Sequence, residues 1–241
     1  MNLLKLGISN FFIIRTILTI FLFATIKLEA VSQSQFKDQG KGKIILKWYL
    51  MPLDNPQIKQ LYVQYVYYIK SNLVLQKDII YDQNIRKDNL INKGELTVNI
   101  TNPDYIINLT KKLVRSDLKE VSSKMKDVAL LNFGPELFYK ALISPPVVTQ
   151  IDTTSHVTTF TIAGLECFKG SANLMNSNFE FFYTKSRTNV LSPLNSFIPN
   201  FPFQILRIKI PLDNNPNAIS DFIVESICAE IPKDIEDLIK W

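Results

Sequence analysis

Apolar and polar residues alternate with a short period over much of the chain, as is typical of half-buried β-strands. Residues 61–69 also fit helical spacing, but their Tyr and Val content favours a strand. Phe179, Phe181 and Tyr183 occupy every second position and should share one face of a strand. The predicted strands form two groups, residues 43–51, 61–69, 73–75, 79–81 and 95–100 in the first, and residues 146–151, 157–163, 179–183, 203–210 and 219–229 in the second.

Helical signals lie between the two groups of strands. Asn102 suits a helix cap and Pro103 suits a first helical position. Over residues 116–131 apolar side chains recur at spacings of three and four, and a shorter helix is predicted at 137–143. A last amphipathic helix is predicted at 232–241, with acidic residues first.

Together these elements predict an α+β domain over residues 43–241. It consists of mostly antiparallel β-sheet in two sections, residues 43–101 and 146–230, with a central helical insert at 103–143. Residues 33–42 are polar and predict a flexible leader. The segments 44–58 and 205–219 each run from an apolar strand into Pro-Leu-Asp-Asn and a second proline, so each predicts a β-hairpin.

The first 32 residues resemble an export signal. Positive charges at Lys5 and Arg15 precede an eleven-residue apolar run at 16–26, and Ala30 and Ser32 provide small residues two positions apart. Eleven residues in a helix span about 16 Å, roughly half of a bilayer core. A cleaved signal peptide is therefore favoured over a membrane anchor or a buried helix, and the signal and the anchor both place the domain outside the cytoplasm.

Composition and charge exclude several function classes. The chain is 46% apolar and 20% charged, which is ordinary for a globular protein. Removing residues 1–32 takes away three of 27 basic and one of 22 acidic residues, so the net charge falls from +5 to +3. The full chain has 22 Lys and 5 Arg, and nucleic-acid recognition favours arginine, so this small positive charge predicts no nucleic-acid binding.

In an exported protein, cysteines can form disulfides and asparagines can be glycosylated. Cys167 and Cys228 are candidates for a disulfide, with two buried free thiols as the alternative. Asn99 and Asn108 each begin an Asn-x-Thr sequence, which makes them glycosylation candidates if the host is a eukaryote.

No catalytic or cofactor motif is evident. His156 is the only histidine, and no Gly-x-Ser-x-Gly sequence accompanies it, so we expect a turn or surface histidine. A single His excludes a histidine-based zinc site, two Cys exclude zinc ribbons and iron–sulfur frameworks, and no calcium-loop sequence occurs, so no metal is expected. Seven glycines leave no phosphate-binding loop, and we expect neither a cofactor nor catalytic residues.

Three functions remain compatible with this sequence. The first is a non-enzymatic exported protein that acts through protein–protein contacts, as a subunit of an envelope or surface assembly, with a membrane surface as a further partner. The second is a carrier of lipid or a small apolar ligand, with Tyr62, Tyr65, Phe197 and Phe201 as candidate ligand contacts and residues 197–203 as a candidate lid. The third is a carboxylate-based hydrolase without a recognisable motif.

Overall fold

The protein contains one antiparallel sheet of twelve strands in the part of the chain that the structure describes. The computed structural model describes residues 40–52, 57, 59–80, 104–116, 127–132, 138–142, 144, 146–154, 158–174, 177–198, 200–212 and 215–241. The strands are β1 (Lys41–Pro52), β2 (Gln60–Lys70), β3 (Leu73–Ile80), β4 (Tyr105–Asn108), β5 (Leu113–Ser116), β6 (Val128–Ala129), β7 (Val148–Asp152), β8 (Thr159–Ile162), β9 (Leu165–Leu174), β10 (Ser177–Thr184), β11 (Gln204–Leu212) and β12 (Asn215–Cys228).

The two predicted groups of strands join edge to edge into a single sheet. Its order is β6-β5-β4-β3-β2-β1-β12-β11-β10-β9-β7, and β8 pairs with the same edge of β9 as β7 does. The prediction of mostly antiparallel sheet is confirmed, whereas the division into two sections is wrong. The reason is the long pairing of β1 with β12, which runs from Lys43 opposite Cys228 to Pro52 opposite Ala218.

The two predicted hairpins are present as β1 with β2 and β11 with β12. A third hairpin, β8 with β9, turns through Ala163 and Gly164, which have φ values of 51° and 76°. Two successive positive φ values match the tight turns that suit the twist of paired strands, and glycine adopts them without strain.

The helical insert predicted at 103–143 is wrong at most of the positions that the structure describes there. Strands β4, β5 and β6 occupy 105–108, 113–116 and 128–129, and β4 pairs directly with β3. Leu131, the last apolar residue of the helix predicted at 116–131, is 53% exposed. Two short 3₁₀-helices are present, η1 (Leu130–Asn132) and η2 (Phe138–Leu142), and the second overlaps the short helix predicted at 137–143.

One face of the sheet carries the main hydrophobic core. In register across five strands, Trp48 lies opposite Phe222, Phe222 opposite Ile208, Ile208 opposite Phe181, and Phe181 opposite Gly170. We call the face that carries this row the inner face. Phe179, Phe181 and Tyr183 share it as predicted, and all three are buried.

The C-terminal segment covers part of the opposite, outer face. The α-helix Lys233–Leu238 follows the buried Ile231, and Ile239 packs with Ile231 against Leu75 and Tyr68, whose side chains alternate away from the inner face. Glu236 forms salt bridges with Lys41 and Lys70, so the helix is anchored to β1 and β2. The predicted C-terminal helix is thus present.

The predicted disulfide is not formed. Cys167 is a buried free thiol on β9, and Cys228 is an exposed free thiol at the end of β12. Strands β10 and β11 lie between β9 and β12, so the two cysteines are separated by three strand spacings, about 14 Å. A disulfide joins Cα atoms that are at most about 7 Å apart, so this arrangement excludes one.

The predicted signal at residues 1–32 lies outside the described residues. Within the described ranges no helix is long and apolar enough to cross a membrane. The predicted leader overlaps with β1, because the strand begins at Lys41 and the preceding Gly40 is held in place by backbone hydrogen bonds to Asn189 and Ser71.

Candidate apolar ligand site

An aromatic pocket lies on the inner face, between the sheet and two 3₁₀-helices. Its floor is formed by Trp48 on β1, Tyr65 on β2 and Phe222 on β12. The rings of Trp48 and Phe222 are stacked, with centroids 5.2 Å apart, and the indole N–H of Trp48 donates a hydrogen bond to Ser220 Oγ at 3.1 Å. Since the indole N–H is already bonded, the floor presents apolar ring surface to the pocket.

The helix η2 forms the opposite wall. Phe138 packs edge-on against Tyr65 and Phe222, with centroid distances of 5.5 Å and 5.3 Å. Next to it, the ring of the buried Tyr139 packs edge-on against Tyr67 at 5.8 Å. These contacts hold η2 against the sheet, and Phe138 forms one wall of the pocket.

The third side of the pocket is η3 (Pro193–Phe197), which supplies Phe197. Ser192 caps this helix by accepting a hydrogen bond from the N–H of Leu194 at 3.2 Å. The buried Asn195 donates to the carbonyl of Phe203 at 2.8 Å and accepts from the N–H of Ile205 at 2.9 Å. These two hydrogen bonds attach the side-chain amide of Asn195 to the start of β11. They hold η3 against the sheet, so η3 is a fixed wall of the pocket, whereas the sequence suggested a movable lid at residues 197–203.

The pocket is apolar with one charged side chain at its edge. Its volume is about 320 Å³, within the range of small-molecule sites. Of the described residues that line it, five are aromatic and one, Lys140, is charged. The lining residues are Trp48, Tyr65, Phe138, Lys140, Ala141, Ser144, Pro146, Phe197 and Phe222.

Next to the pocket, the inner face carries a buried polar cluster. Gln76 and Asp78 on β3 lie opposite Tyr67 and Tyr65 in the register, and the side-chain N–H of Gln76 donates to Asp78 Oδ1 at 2.8 Å. Burial raises the pKa of Asp78 to about 6, with Gln76 lowering it and the charge of Asp104 raising it further. Burial also raises the pKa of Tyr67 well above its ordinary value.

A salt-bridge network on the outer face is distinct from the pocket. Arg207 donates two hydrogen bonds to the buried Asp221, at 2.7 Å and 2.6 Å, and Lys59 donates a third at 3.1 Å. Burial by itself raises the pKa of Asp221, but these bonds and the two positive charges outweigh it, and the pKa is held below the ordinary value. The carboxylate is thus kept ionised and serves to join β11 to β12.

The four residues predicted to contact a ligand are placed differently. Tyr65 and Phe197 line the pocket. Tyr62 packs edge-on against Trp48 at 4.7 Å and supports the floor. Phe201 is buried between Phe181 and Tyr183, with centroids 5.2 Å and 5.1 Å away, and belongs to the core.

Of the two glycosylation candidates and the single histidine, only Asn108 lies among the described residues. Asn108 is buried, and its Oδ1 accepts hydrogen bonds from the N–H of Lys111 at 2.9 Å and from Asn72 at 3.4 Å. Asn99 and His156 lie outside the described residues. Glycosylation therefore remains a prediction from the sequence alone. No cluster of three or more His, Cys, Asp or Glu that could hold a metal ion occurs among the described residues.

The sequence did not point to Trp48, Phe138, Lys140 or Phe222 as site residues. Trp48 and Phe222 each follow the alternation of their strand, which marks them as inner-face residues. Nothing local shows that they are neighbours, because β1 and β12 lie far apart in the sequence, although they pair directly in the sheet. Phe138 and Lys140 lie where a helix was predicted, but their position over the sheet depends on tertiary packing.

No protein-family model matches the sequence. No curated protein matches it at a significant level. Among solved structures, the chain is similar to PNGF-II in a C2 crystal form, with a TM-score of 0.41 and 11% identity over 83% of this chain. A P21 form of PNGF-II gives a TM-score of 0.37 and 10% identity over the same share, and in both cases this chain spans 30% of the PNGF-II chain.

A second similar structure is a LolA superfamily protein from Nitrosomonas europaea. Its TM-score is 0.36 at 9% identity, over 89% of this chain and 96% of that chain. All of these similarities are distant.

Proposed function

We propose that this protein binds an apolar ligand, such as a lipid chain, in the aromatic pocket and acts as a carrier without catalysing a reaction. The observation that supports the proposal is the pocket itself: five aromatic rings from β1, β2, β12, η2 and η3 surround about 320 Å³. Small-molecule sites are typically clefts of about 300–1,000 Å³ that are lined mainly by hydrophobic and aromatic side chains. A space of this size walled by rings is therefore suited to a ligand.

The volume and the burial of methylene groups suit a hydrocarbon chain. The pocket offers room for about ten groups of the size of a water molecule, at about 30 Å³ each. Each buried methylene contributes about 0.8 kcal/mol, which can offset the loss of translational and rotational freedom on binding. Together with the export that residues 1–32 predict, this supports a carrier that works outside the cytoplasm.

Trp48 provides a direct test of binding. Trp48 and Trp241 are the only two tryptophans, and Trp241 lies near Arg115 and Lys111, away from the pocket lining. In the full-length Trp241→Phe variant, decan-1-ol should shift the emission of Trp48 in a saturable manner. The matched Trp48→Phe variant, which keeps Trp241, should give no shift.

Filling the pocket should abolish binding without removing any existing contact. Ala141 lines the pocket, so Ala141→Phe places a ring in the space, whereas Ala141→Ser keeps the volume. We expect native mass spectrometry of gently purified protein to show bound lipid in the wild-type and Ala141→Ser proteins and none in Ala141→Phe. Absence of bound lipid in all three, together with no Trp48 response, would reject the carrier proposal.

A contact with another protein is a second candidate function, favoured by the edge of the sheet. Among the described strands, β7 ends the sheet order; Val147, just before it, and Ile151, on it, are 72% and 46% exposed, and Phe160 of β8 is 37% exposed. A free edge with apolar side chains is suited to pairing with another chain. Ile151→Asp should reduce the size of the native complex in size-exclusion chromatography of cell extracts, and Thr149→Asp, on the same strand, should not. An unchanged size in Ile151→Asp would count against this function.

A further inference from the structure

We propose that the ligand of the aromatic pocket is an alkyl chain with an anionic head group, and that Lys140 binds this head group. This inference rests on the proposed function, and it assigns the chemical class of the ligand. Among the described residues that line the pocket, one side chain is charged, it is positive, and none is a carboxylate.

Among the described residues, no carboxylate neutralises the charge of Lys140. Ten other cationic side chains in the described ranges form salt bridges, including Lys47 with Glu225 and Lys169 with Glu180. Lys140 forms none with a carboxylate from the described ranges, although it is half-buried beside aromatic rings. A charge beside an apolar volume interacts strongly with an opposite charge, because the local dielectric constant is low.

The polar groups of the pocket are gathered at one edge. Ser144 donates its backbone N–H to the carbonyl of Lys140 at 3.1 Å, so both residues lie on the same turn of chain. Ser144 is exposed, whereas the rings of Trp48 and Phe222 form the floor on the sheet side. A ligand that satisfies this arrangement has a polar end at Lys140 and an apolar end against the floor.

A neutral apolar ligand does not use this arrangement. It would contact the aromatic floor and leave the ammonium group of Lys140 hydrated at the edge of the pocket. The two hypotheses, an anionic amphiphile and a neutral apolar ligand, differ in one measurable quantity. This quantity is the preference for an anionic over a neutral head group on the same alkyl chain.

Three probes of equal chain length separate these hypotheses in the full-length Trp241→Phe protein, with Trp48 emission as the signal. They are decanoate, decan-1-ol and decyltrimethylammonium. We expect decanoate to bind about tenfold more tightly than decan-1-ol, the contribution of one charged hydrogen bond. Decyl phosphate should share the preference of decanoate, because a lysine ammonium recognises charge without a fixed geometry.

Substitution of Lys140 tests the assignment. Lys140→Met should remove the preference for decanoate and leave the affinity for decan-1-ol unchanged, and Lys140→Arg should retain the preference. Lys140→Glu should reverse it, so that decyltrimethylammonium binds more tightly than decanoate. The control is Lys240→Glu, because Lys240 is exposed next to the C-terminal helix on the outer face, and it should change none of the affinities.

The outcomes separate this inference from the proposed function. If decanoate and decan-1-ol bind equally and Lys140→Met changes neither, the pocket takes an apolar ligand but the head-group assignment is wrong. If no probe binds to the wild-type or Trp241→Phe protein, the proposed function fails as well. Because decan-1-ol measures the pocket in every variant, a variant that has lost its fold is recognised by the loss of this binding too.

Discussion

The indole ring of Trp48 and the phenyl ring of Phe222 stack with centroids 5.2 Å apart and an interplanar angle of 29°. They lie opposite each other in the pairing of β1 with β12, the first and last strands of the sheet along the chain. Because the two rings come from strands that are far apart in the sequence, the pocket floor forms only when β1 and β12 pair. Ligand binding should therefore stabilise the folded state as a whole.

Phe222→Ala should weaken both the floor and the fold. The half-buried ring contacts Trp48, Phe138 and Phe197, and we expect its removal to lower the free energy of unfolding by about 2–3 kcal/mol. The affinity for decan-1-ol should fall as well, as measured by Trp48 emission in the Trp241→Phe background. Ile223→Ala, on the next position of the same strand and the outer face, should lower stability but leave the affinity unchanged. Equal affinities in wild-type and Phe222→Ala proteins would mean that the stack is not part of the binding site.

Asp78→Asn should stabilise the protein at neutral pH and not at acidic pH. Burial raises the pKa of Asp78 from 3.8 to about 6, so folding favours its protonated form. The associated stability is fully present below pH 3.8, declines as the pH rises, and is lost above about pH 6. Urea unfolding should show the variant more stable than wild type by about 2 kcal/mol at pH 8, with a gain that vanishes near pH 4.

The control for this prediction is Asp237→Asn, because the side chain of Asp237 is 67% exposed and should change the stability by less than about 0.5 kcal/mol at either pH. A gain from Asp78→Asn that is the same at pH 4 and pH 8 would show that ionisation of Asp78 is not its cause.

Gly170→Ala should destabilise the sheet through a clash with one ring. A Cβ atom at Gly170 would lie 2.5 Å from Cζ of Phe181, which is fully buried on the neighbouring strand. We expect a loss of about 1–3 kcal/mol in the free energy of unfolding. In a double-mutant cycle with Phe181→Leu, the second substitution should relieve at least about 0.5 kcal/mol of that loss. Additive effects would show that Phe181 is not the residue that requires glycine.

The state of the two cysteines can be read from thiol labelling. Cys228 is exposed, whereas Cys167 is buried and its pKa is raised, mainly by burial, to about 11. A thiol reagent at pH 8 should therefore label one cysteine in the native protein and two in urea, and Cys228→Ser should abolish the native labelling. Unreduced protein that labels at neither cysteine in urea would show that the disulfide forms after all.

The alternation of apolar and polar residues was sufficient to predict most strands, because it is a local property of an extended chain with one or both faces buried. Phe179, Phe181 and Tyr183 illustrate this, since their spacing alone predicted a shared buried face. The prediction of a helical insert was wrong because it rested on local signals alone, whereas the structure of this segment depends on pairing with a distant strand. Asn102 and Pro103 are good local signals for the start of a helix, but the pairing of Leu75 with Ile106 draws the following residues into the sheet. Local preferences of a few tenths of a kcal/mol are easily overridden by such pairing.

The sequence by itself determined the antiparallel strands, the hairpins, the C-terminal helix and two of the pocket residues, Tyr65 and Phe197. Only the tertiary structure decided that the two groups of strands form one sheet and that the cysteines lie three strands apart. The same holds for the pocket, where Trp48, Phe222 and Lys140 meet although they are distant in sequence. The physical reason is that alternation specifies which face a side chain takes, while the identity of its neighbour depends on strand order and register, which are set by contacts across the whole domain.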